Sequence, residues 1–369
     1  MKGQLHRREF IASALAAASI PFLGAHLTGE PARPPLPKPL GFALVGLGNL
    51  STNQLAPALQ RTANCRLAGI VTGTPAKAAA WQRRYGLPDR SVYSYETMAR
   101  LAENRDIDVV YVVTPNALHA EHTIAAVRAG KHVLCEKPME VSVARCEAMI
   151  DAARTAGVQL AIGYRCQFEP YHLECVRLAR EEVFGELRVI EASFGFPIGN
   201  PAQWRLVRAL SGGGPLMDVG IYALQTARML AGSEPLEVSA VQTNTDPAKF
   251  RDIEQSVTFT LAFPGGVAAH CSTSYAEGMN AFTAYAERGS FGMRPAYSYG
   301  GNRAWRSDGA TLAFPPIDQF AAELDDFAEC ITSGRRTRVP GEEGLRDVRV
   351  MMAAYAAART GTVVRLAGR

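Results

Sequence analysis

The feature that most constrains the fold is a glycine-rich turn between an apolar strand and a helix. Residues 42–45 are apolar and run directly into Gly46-Leu47-Gly48-Asn49-Leu50-Ser51, after which apolar residues recur at helical spacing. In dinucleotide-binding units, the first two glycines let the backbone approach a pyrophosphate at a helix N-terminus, while the third sets helix packing. Ser51 replaces the third glycine. We therefore predict a cofactor-binding turn whose contact residues are Gly46, Gly48, Asn49 and Leu50.

Further strand and helix patterns alternate after this turn. Apolar strands are predicted at residues 67–71, 109–113, 132–135 and 160–162, and helices at 75–85, 119–129 and 142–156. Such alternation is typical of an α/β fold with a doubly wound parallel sheet. We therefore predict a Rossmann domain over residues 41–162.

The pattern changes after residue 163. A helix ending near Gly185 is followed by strands predicted at residues 187–196, 238–245, 256–263, 267–275 and 281–287, joined by short turns. This favours an α+β domain over residues 163–316 with a large, mostly antiparallel open sheet. Residues 317–369 are predicted to form helices that pack back on the Rossmann domain. Because an open sheet face needs a cover, we expect a homo-oligomer, either a dimer or a tetramer.

The N-terminus has the pattern of an export signal. A basic start and Arg7-Arg8-Glu9-Phe10-Ile11 precede an apolar stretch over residues 10–23, with small residues at 24–25. We predict a twin-arginine signal peptide over residues 1–25, a proline-rich arm over 26–40 and a periplasmic location. If residues 1–25 are an ordinary basic N-terminus, the location is cytoplasmic.

Composition excludes several other classes of function. The net charge of +4 comes from 39 basic and 35 acidic residues dispersed along the chain, which argues against nucleic-acid binding. No apolar run is long enough for stable membrane insertion. The seven cysteines lack CxxC spacing, and His119 and His122 lack a third ligand, so we predict no metal site.

Two loops of the Rossmann half suggest which nicotinamide cofactor binds. The second strand ends at Thr72-Gly73-Thr74, followed by Lys77, with no acidic residue to bind a ribose diol. A hydroxyl, a main-chain amide and a lysine suit the 2′-phosphate of NADP, so NADP is favoured over NAD. After the third main strand, Thr114, Pro115 and Asn116 are placed to form the floor beneath the nicotinamide ribose.

The candidate catalytic groups come from both halves of the chain. Glu136 and Lys137 follow the strand at 132–135, at the carboxyl end where ligands bind in such sheets. Taken alone, they could equally be a surface pair in a turn. In the second half, Asp218 and Tyr222 lie one turn apart beside a buried helical stripe, and a capped helix with a half-buried phenol is the alternative.

Four motifs together resemble one enzyme family. They are Cys135-Glu136-Lys137-Pro138, Gly163-Tyr164-Arg165-Cys166, Trp204-Arg205, and the segment from Gly212 to Tyr222. The chain from about Gly41 to Thr362 resembles the glucose-fructose oxidoreductase and inositol dehydrogenase (Gfo/Idh/MocA) family, most closely its exported glucose-fructose oxidoreductase branch. Tyrosine at position 222, where most of the wider family has histidine, indicates that branch.

The resemblance implies roles for particular residues. Lys137, Asp218 and Tyr222 would be catalytic and would bind substrate together with Arg205. The residues implied to contact NADP, besides those of the glycine-rich turn, are Thr72, Lys77, Thr114, Pro115, Asn116, His119, Glu136, Lys137, Arg165, Trp204 and Arg205. Trp204, Arg205 and Arg208 are candidate sugar contacts.

We therefore expect an NADP-dependent oxidoreductase that acts on CH–OH groups of sugars. It would oxidise an aldose to its lactone with tightly bound NADP, which a second sugar such as fructose would reoxidise. Tyr222 would take the anomeric proton, with its pKa lowered by Lys137. The alternatives are a sugar or polyol dehydrogenase with exchangeable cofactor and a sugar-binding protein that retains NADP without turnover.

Overall fold

The computed structural model describes residues 36–366. The predicted signal peptide at 1–25 and residues 26–35 of the predicted arm lie outside this range. Residues 36–366 fall within one compact unit. Within that range, no helix combines the length and apolar character needed to cross a membrane.

The predicted Rossmann sheet is present, and all of its strands are parallel. Its order is β3-β2-β1-β4-β5-β6. The strands are β1 Leu40–Val45, β2 Cys65–Val71, β3 Val92–Tyr93, β4 Val109–Val112, β5 His132–Glu136 and β6 Leu160–Gly163. Only the two-residue β3 was not predicted, because it is too short to show a periodic pattern.

The helices of this half begin and end at residues with clear physical reasons. Helix α2 has Pro75 at its first position and ends at Gly86, whose φ of 64° is left-handed. Ser142 caps α4 by accepting a hydrogen bond from Arg145 N. The helices are α1 Ala56–Leu59, preceded by a π-helical turn Ser51–Leu55, α2 Pro75–Tyr85, α3 His119–Arg128 and α4 Val143–Ala156, with 3₁₀ turns at Asp89–Ser91, Tyr95–Glu103 and Asn116–Leu118.

The second sheet has eight strands in the order β13-β12-β11-β7-β10-β9-β8-β14. It is antiparallel except where β10 pairs with β7 in parallel, which confirms the mostly antiparallel prediction. The strands are β7 Leu187–Gly195, β8 Glu237–Thr243, β9 Ser256–Ala262, β10 Ala268–Ser274, β11 Met279–Ala286, β12 Gly289–Met293, β13 Ala304–Arg306 and β14 Val364–Arg365.

Strands β12, β13 and β14 were not predicted. Strand β12 contains two glycines, which weaken any β-pattern, and strands β13 and β14 are only three and two residues long.

The predicted homo-oligomeric state stays a prediction.

Helices from the second half connect the two sheets. They are α5 Pro170–Arg180, α6 Arg208–Ser211, α7 Ile221–Ala231, α8 Gln319–Ser333 and α9 Gly341–Thr360; π-helical Leu216–Gly220 precedes α7, and 3₁₀ turns lie at Arg165–Phe168, Trp204–Leu206 and Pro264–Gly266. Helix α9 packs against α4 and β6 of the first half and against β8 of the second sheet. The chain then adds β14 to that sheet. The C-terminal helices therefore link both halves, and the predicted domain boundaries stay a prediction.

A buried arginine fixes α9 in this position. Arg228 of α7 is 5% exposed and bonds Glu343 Oε1 at 2.8 Å and Asp347 Oδ1 at 2.5 Å on α9. Tyr164 Oη donates to Asp347 Oδ2 at 2.6 Å. Because removing one partner of a buried pair leaves an uncompensated charge, these contacts specify how α9 docks.

Candidate active site

The three predicted catalytic residues lie together at the carboxyl end of the first sheet. Lys137, directly after β5, places its Nζ 2.6 Å from the main-chain oxygen of Asp218 and 3.5 Å from Asp218 Oδ1. The same Nζ is 4.9 Å from the ring centroid of Tyr222. Lys137 therefore meets Asp218, which lies 81 positions away in the sequence, and Tyr222 in one crevice.

The segment carrying Asp218 and Tyr222 differs from the uniform α-helix that the sequence predicted. Leu216–Gly220 forms a π-helical turn, and the regular α-helix begins only at Ile221. Such a widened turn is frequent at functional sites. Here the main-chain oxygen of Asp218 accepts the hydrogen bond from Lys137.

Asp218 is held in its ionised form by groups on three sides. Its Oδ2 accepts hydrogen bonds from Arg205 Nε at 2.9 Å and from Tyr275 Oη at 3.0 Å. Burial alone would raise the pKa of Asp218, but Arg205, Lys137 and the Tyr275 hydroxyl lower the pKa to about 2. Sequence reasoning missed Tyr275, because nothing in the pattern of β10 shows that the tyrosine following it faces Asp218.

The surroundings of Tyr222 correct the expected role of Lys137. Lys137 lies over the ring face, whereas the Tyr222 hydroxyl accepts a hydrogen bond from Arg165 Nε at 3.2 Å. Burial raises the pKa of Tyr222, and the Arg165 guanidinium opposes that rise. Arg165, rather than Lys137, is therefore the cation placed to stabilise a phenolate at position 222.

Arg165 itself is buried and held by main-chain oxygens. It is 2% exposed and also donates to Tyr297 O at 2.6 Å and Ser298 O at 3.2 Å. Its guanidinium carbon is 4.7 Å from the ring centroid of Tyr299, which is 51% exposed and was also missed from the sequence. In this structure the polar atoms of Arg165 bond to protein groups, and its predicted contact with NADP stays a prediction.

The glycine-rich turn has the shape that a pyrophosphate needs. Gly46 has a φ of +96°, and a Cβ there would lie 2.8 Å from Val113 O, so a larger residue would not fit. A Cβ on Gly48 would meet no atom within 4 Å, and Gly48 and Asn49 are exposed beside the partly buried Leu50. Ser51 donates from Oγ to Gly46 O at 2.6 Å and so fixes the turn. The open space beside Gly48 fits a cofactor phosphate at a helix N-terminus.

The loop after β2 has room and charge for a second phosphate. Thr72 is buried, and its Oγ1 accepts a hydrogen bond from Thr74 N at 3.2 Å. Gly73, Thr74 and Lys77 are exposed. No carboxylate occurs between residues 72 and 77, so this loop suits an anionic 2′-phosphate better than a ribose diol.

The loop after β4 is built by buried polar contacts. Thr114 Oγ1 lies 3.0 Å from His122 Nδ1, and the Asn116 amide donates to Ser211 O at 2.9 Å next to Pro115. Both ring nitrogens of His119 face main-chain oxygens, 2.8 Å from Thr114 O and 2.9 Å from Pro138 O. His119 is therefore buried between the loops that follow β4 and β5, and its predicted contact with the cofactor stays a prediction.

His119 is a positioning residue for those two loops. Burial lowers its pKa to about 4, although the carbonyls of Thr114 and Pro138 oppose the shift. A neutral imidazole has one N–H, so it donates to only one of the two carbonyls.

The remaining predicted residues divide between the crevice and the surface. Trp204 lies 4.6 Å from the guanidinium carbon of Arg205, which bonds Asp218. Arg208 is exposed and contacts Asp252, and its predicted sugar contact stays a prediction. Glu136 is 7% exposed and accepts a hydrogen bond from Tyr111, and its predicted contact with NADP stays a prediction. Within residues 36–366, no group of three or more potential ligands forms a metal site.

The pKa of Asp218 gives a stability prediction. Because its pKa is lowered from 3.8 to about 2 on folding, its charge stabilises the native state above pH 4, and this contribution is lost as the pH falls toward 2. We expect Asp218→Asn to lower the free energy of unfolding by about 2 kcal/mol at neutral pH. In urea unfolding experiments, the difference in the free energy of unfolding between the unaltered protein and Asp218→Asn should shrink below about pH 4.

The control is Asp151→Asn, which removes an exposed ion pair with Arg154. It should change stability by less than about 1 kcal/mol. A deficit for Asp218→Asn that stays constant down to pH 2 would contradict the prediction.

Comparison with known proteins places this site in a family context. The chain matches the family described as oxidoreductase family, NAD-binding Rossmann fold, over residues 40–164, and the GFO/IDH/MocA C-terminal domain over residues 172–292. A D-xylose 1-dehydrogenase (NADP(+)) from Haloarcula marismortui is 32% identical over 89% of this chain and 93% of the relative.

Two solved structures extend the comparison. An aldose-aldose oxidoreductase from Caulobacter crescentus, complexed with glycerol, is 44% identical with a TM-score of 0.86, covering 89% of this chain and 100% of the other. A 3-ketoreductase from Actinomadura kijaniata, in complex with NADP and TDP-benzene, is 27% identical with a TM-score of 0.77, covering 87% and 98%. The chain therefore belongs to the GFO/IDH/MocA family of Rossmann-fold oxidoreductases.

Proposed function

We propose that this protein is an NADP-dependent oxidoreductase acting on CH–OH groups of sugars. The observation that carries the proposal is the meeting of Lys137, Asp218 and Tyr222 at the same sheet end as the open glycine-rich turn. The names of the D-xylose dehydrogenase and the aldose-aldose oxidoreductase support a sugar substrate.

The cofactor assignment rests on the open space beside Gly48 and on the exposed, carboxylate-free loop at residues 72–77. The main-chain amides after Gly48 would hold the pyrophosphate, and the exposed 72–77 loop with Lys77 would hold the 2′-phosphate. When bound, NADP supplies the acceptor or donor of the hydride. The absence of an acidic residue in the 72–77 loop favours NADP over NAD.

The protein side chains would position the sugar and move one proton. Tyr222 takes the proton of the sugar hydroxyl as a phenolate, which Arg165 stabilises beforehand through its 3.2 Å contact, and becomes a neutral phenol. An ammonium has three N–H donors, of which the two Asp218 oxygens engage at most two, so Lys137 retains one for a sugar oxygen. Ionised Asp218 keeps Lys137 charged and oriented, and Arg205 and Trp204 line the sugar side.

Loss of either Lys137 or Tyr222 should stop turnover without releasing the cofactor. We expect Lys137→Ala and Tyr222→Phe each to lower kcat by roughly a hundred- to ten-thousandfold. Cofactor content, measured after denaturing the purified variants, should match that of the unaltered protein. Remote Lys38→Ala and Tyr285→Phe are the matched controls and should keep full activity. Activity that survives both site substitutions would contradict the site assignment and leave only an NADP-retaining sugar-binding protein.

The finer proposal is a two-step cycle on one bound cofactor. An aldose is oxidised to its lactone as bound NADP is reduced, and a second sugar carbonyl, such as fructose or another aldose, reoxidises it. The name of the 44% identical aldose-aldose oxidoreductase supports a sugar as acceptor. The names of the D-xylose 1-dehydrogenases support a second candidate, a sugar dehydrogenase that exchanges free NADP.

Stopped-flow mixing separates these two candidates. The as-purified protein, mixed with glucose without added NADP, should develop the near-ultraviolet absorbance of a reduced nicotinamide. A second mix with fructose or xylose should then remove that absorbance. If the absorbance persists after the second sugar is added and rises further when free NADP is supplied with glucose, or if gel filtration removes the cofactor, the exchanging dehydrogenase is the better assignment.

Export by the twin-arginine route is part of this proposal, as is the link to the exported glucose-fructose oxidoreductase branch. A bound, self-regenerating cofactor suits a compartment without a nicotinamide pool, and the Arg7-Arg8 pair precedes an apolar stretch. Replacing both arginines by lysine should move the protein from the periplasmic to the cytoplasmic fraction, while Arg33→Lys should not. Unaltered protein found in the cytoplasm would contradict export.

A further inference from the structure

Two buried carboxylates behind Lys137 share one tyrosine hydroxyl. Tyr111 Oη lies 2.7 Å from Glu136 Oε1 and 3.2 Å from Glu323 Oε2. Tyr111 is 0% exposed, Glu136 7% and Glu323 1%. Tyr111 comes from β4, Glu136 from β5 and Glu323 from α8, so three separate elements bring these groups together.

The hydrogen count at this cluster requires one additional proton. A tyrosine hydroxyl has one hydrogen, which it can donate to only one carboxylate. The other carboxylate would then face an oxygen lone pair, unless it is protonated and donates its own hydrogen to Tyr111 Oη. Two ionised carboxylates that both contact the same buried hydroxyl would also repel each other.

Glu323 is the carboxyl group placed to carry that proton. The shorter contact belongs to Glu136, which also neighbours Lys137 in the chain, whereas Glu323 Oε1 has no hydrogen-bond partner among the described residues. An unpartnered buried oxygen is far less costly on a neutral carboxyl group than on a charged one.

The surrounding charged groups support this assignment. Arg165 directs its hydrogen bonds to Tyr222 Oη, to the main-chain oxygens of Tyr297 and Ser298 and to Gln319 Oε1, not to either carboxylate. Burial and the charge of Glu136 raise the pKa of Glu323 well above its usual value, and Tyr111 and Arg165 only partly oppose this. Cys166, the other titratable neighbour, also raises the pKa of Glu323.

We propose that Tyr111 and Glu323 are positioning residues that keep one proton on the Glu136–Tyr111–Glu323 cluster at neutral pH. With that proton, the cluster presents one negative charge to Lys137 and Arg165; without it, the cluster presents two. Since these two cations act on the sugar oxygen and on Tyr222 Oη, the proton sets the electrostatic environment of the reaction. The catalytic part of this inference rests on the proposed function.

Infrared difference spectroscopy tests the proton directly and needs no turnover. The spectrum of the unaltered full chain minus that of Glu323→Gln, at neutral pH, should show the C=O stretch of a carboxylic acid. Loss of ionised carboxylate bands instead would overturn the proposal. The control is Glu174→Gln, since buried Glu174 binds Arg177 through both oxygens at 2.7 and 2.8 Å and should contribute only carboxylate bands.

A second measurement uses the pH dependence of unfolding. In the native state Glu323 keeps its proton at a pH where the same side chain in the unfolded chain has lost it. Its contribution to stability is therefore fully present at low pH and falls as the pH rises above the pKa of Glu323 in the unfolded chain. Relative to Glu323→Gln, the folding equilibrium constant of the unaltered protein should fall by roughly tenfold per pH unit there. A pH-independent difference would overturn the assignment.

Kinetics then test the positioning role. Glu323→Gln, which mimics the neutral carboxyl group, should keep kcat at neutral pH and extend kcat/KM to higher pH, whereas Glu323→Ala should lower kcat. Equal losses in both variants would contradict the positioning role. If neither the variants nor the unaltered protein turn over, the proposed function fails. The infrared result still decides whether Glu323 carries the proton.

Discussion

The site depends on one ion pair between the two halves of the chain, Lys137 with Asp218. An ammonium at the end of a buried strand is costly unless a partner compensates its charge. Asp218 provides that partner through both a main-chain and a side-chain oxygen. Its own charge is balanced by Arg205, which bonds its second carboxylate oxygen. The relative position of the two sheets is therefore linked to the electrostatics of the crevice.

A second layer of charge lies behind this pair. Arg165 sits between Tyr222 and the carbonyls of the 297–298 loop, and it supplies a cation at the Tyr222 hydroxyl. Behind Lys137, Glu136 and Glu323 share the hydroxyl of Tyr111. Positive and negative groups thus alternate from the interior to the sugar side. This alternation lets several ionisable side chains remain buried close together.

Local patterns predicted the parts of the fold that depend on near neighbours. The parallel sheet, the long strands of the second sheet and most helix bounds follow from apolar periodicity, proline at helix starts and glycine at helix ends. Prediction failed at β12 to β14, where glycine or shortness removes the periodicity. It also failed at Leu216–Gly220, where a π-helical turn replaces a regular helix, because the deviation depends on what packs against the turn.

The sequence by itself determined the family resemblance, the glycine-rich turn and the identities of Lys137, Asp218 and Tyr222. Only the tertiary structure decided which groups contact them: Arg165 rather than Lys137 at the Tyr222 hydroxyl, and Tyr275 on Asp218. It also decided that His119 lies between the loops that follow β4 and β5. These contacts join residues distant in sequence, and hydrogen bonds and charges act over a few ångströms in space. Sequence spacing carries no record of that distance, so the chemistry of the site becomes readable only once the chain has folded.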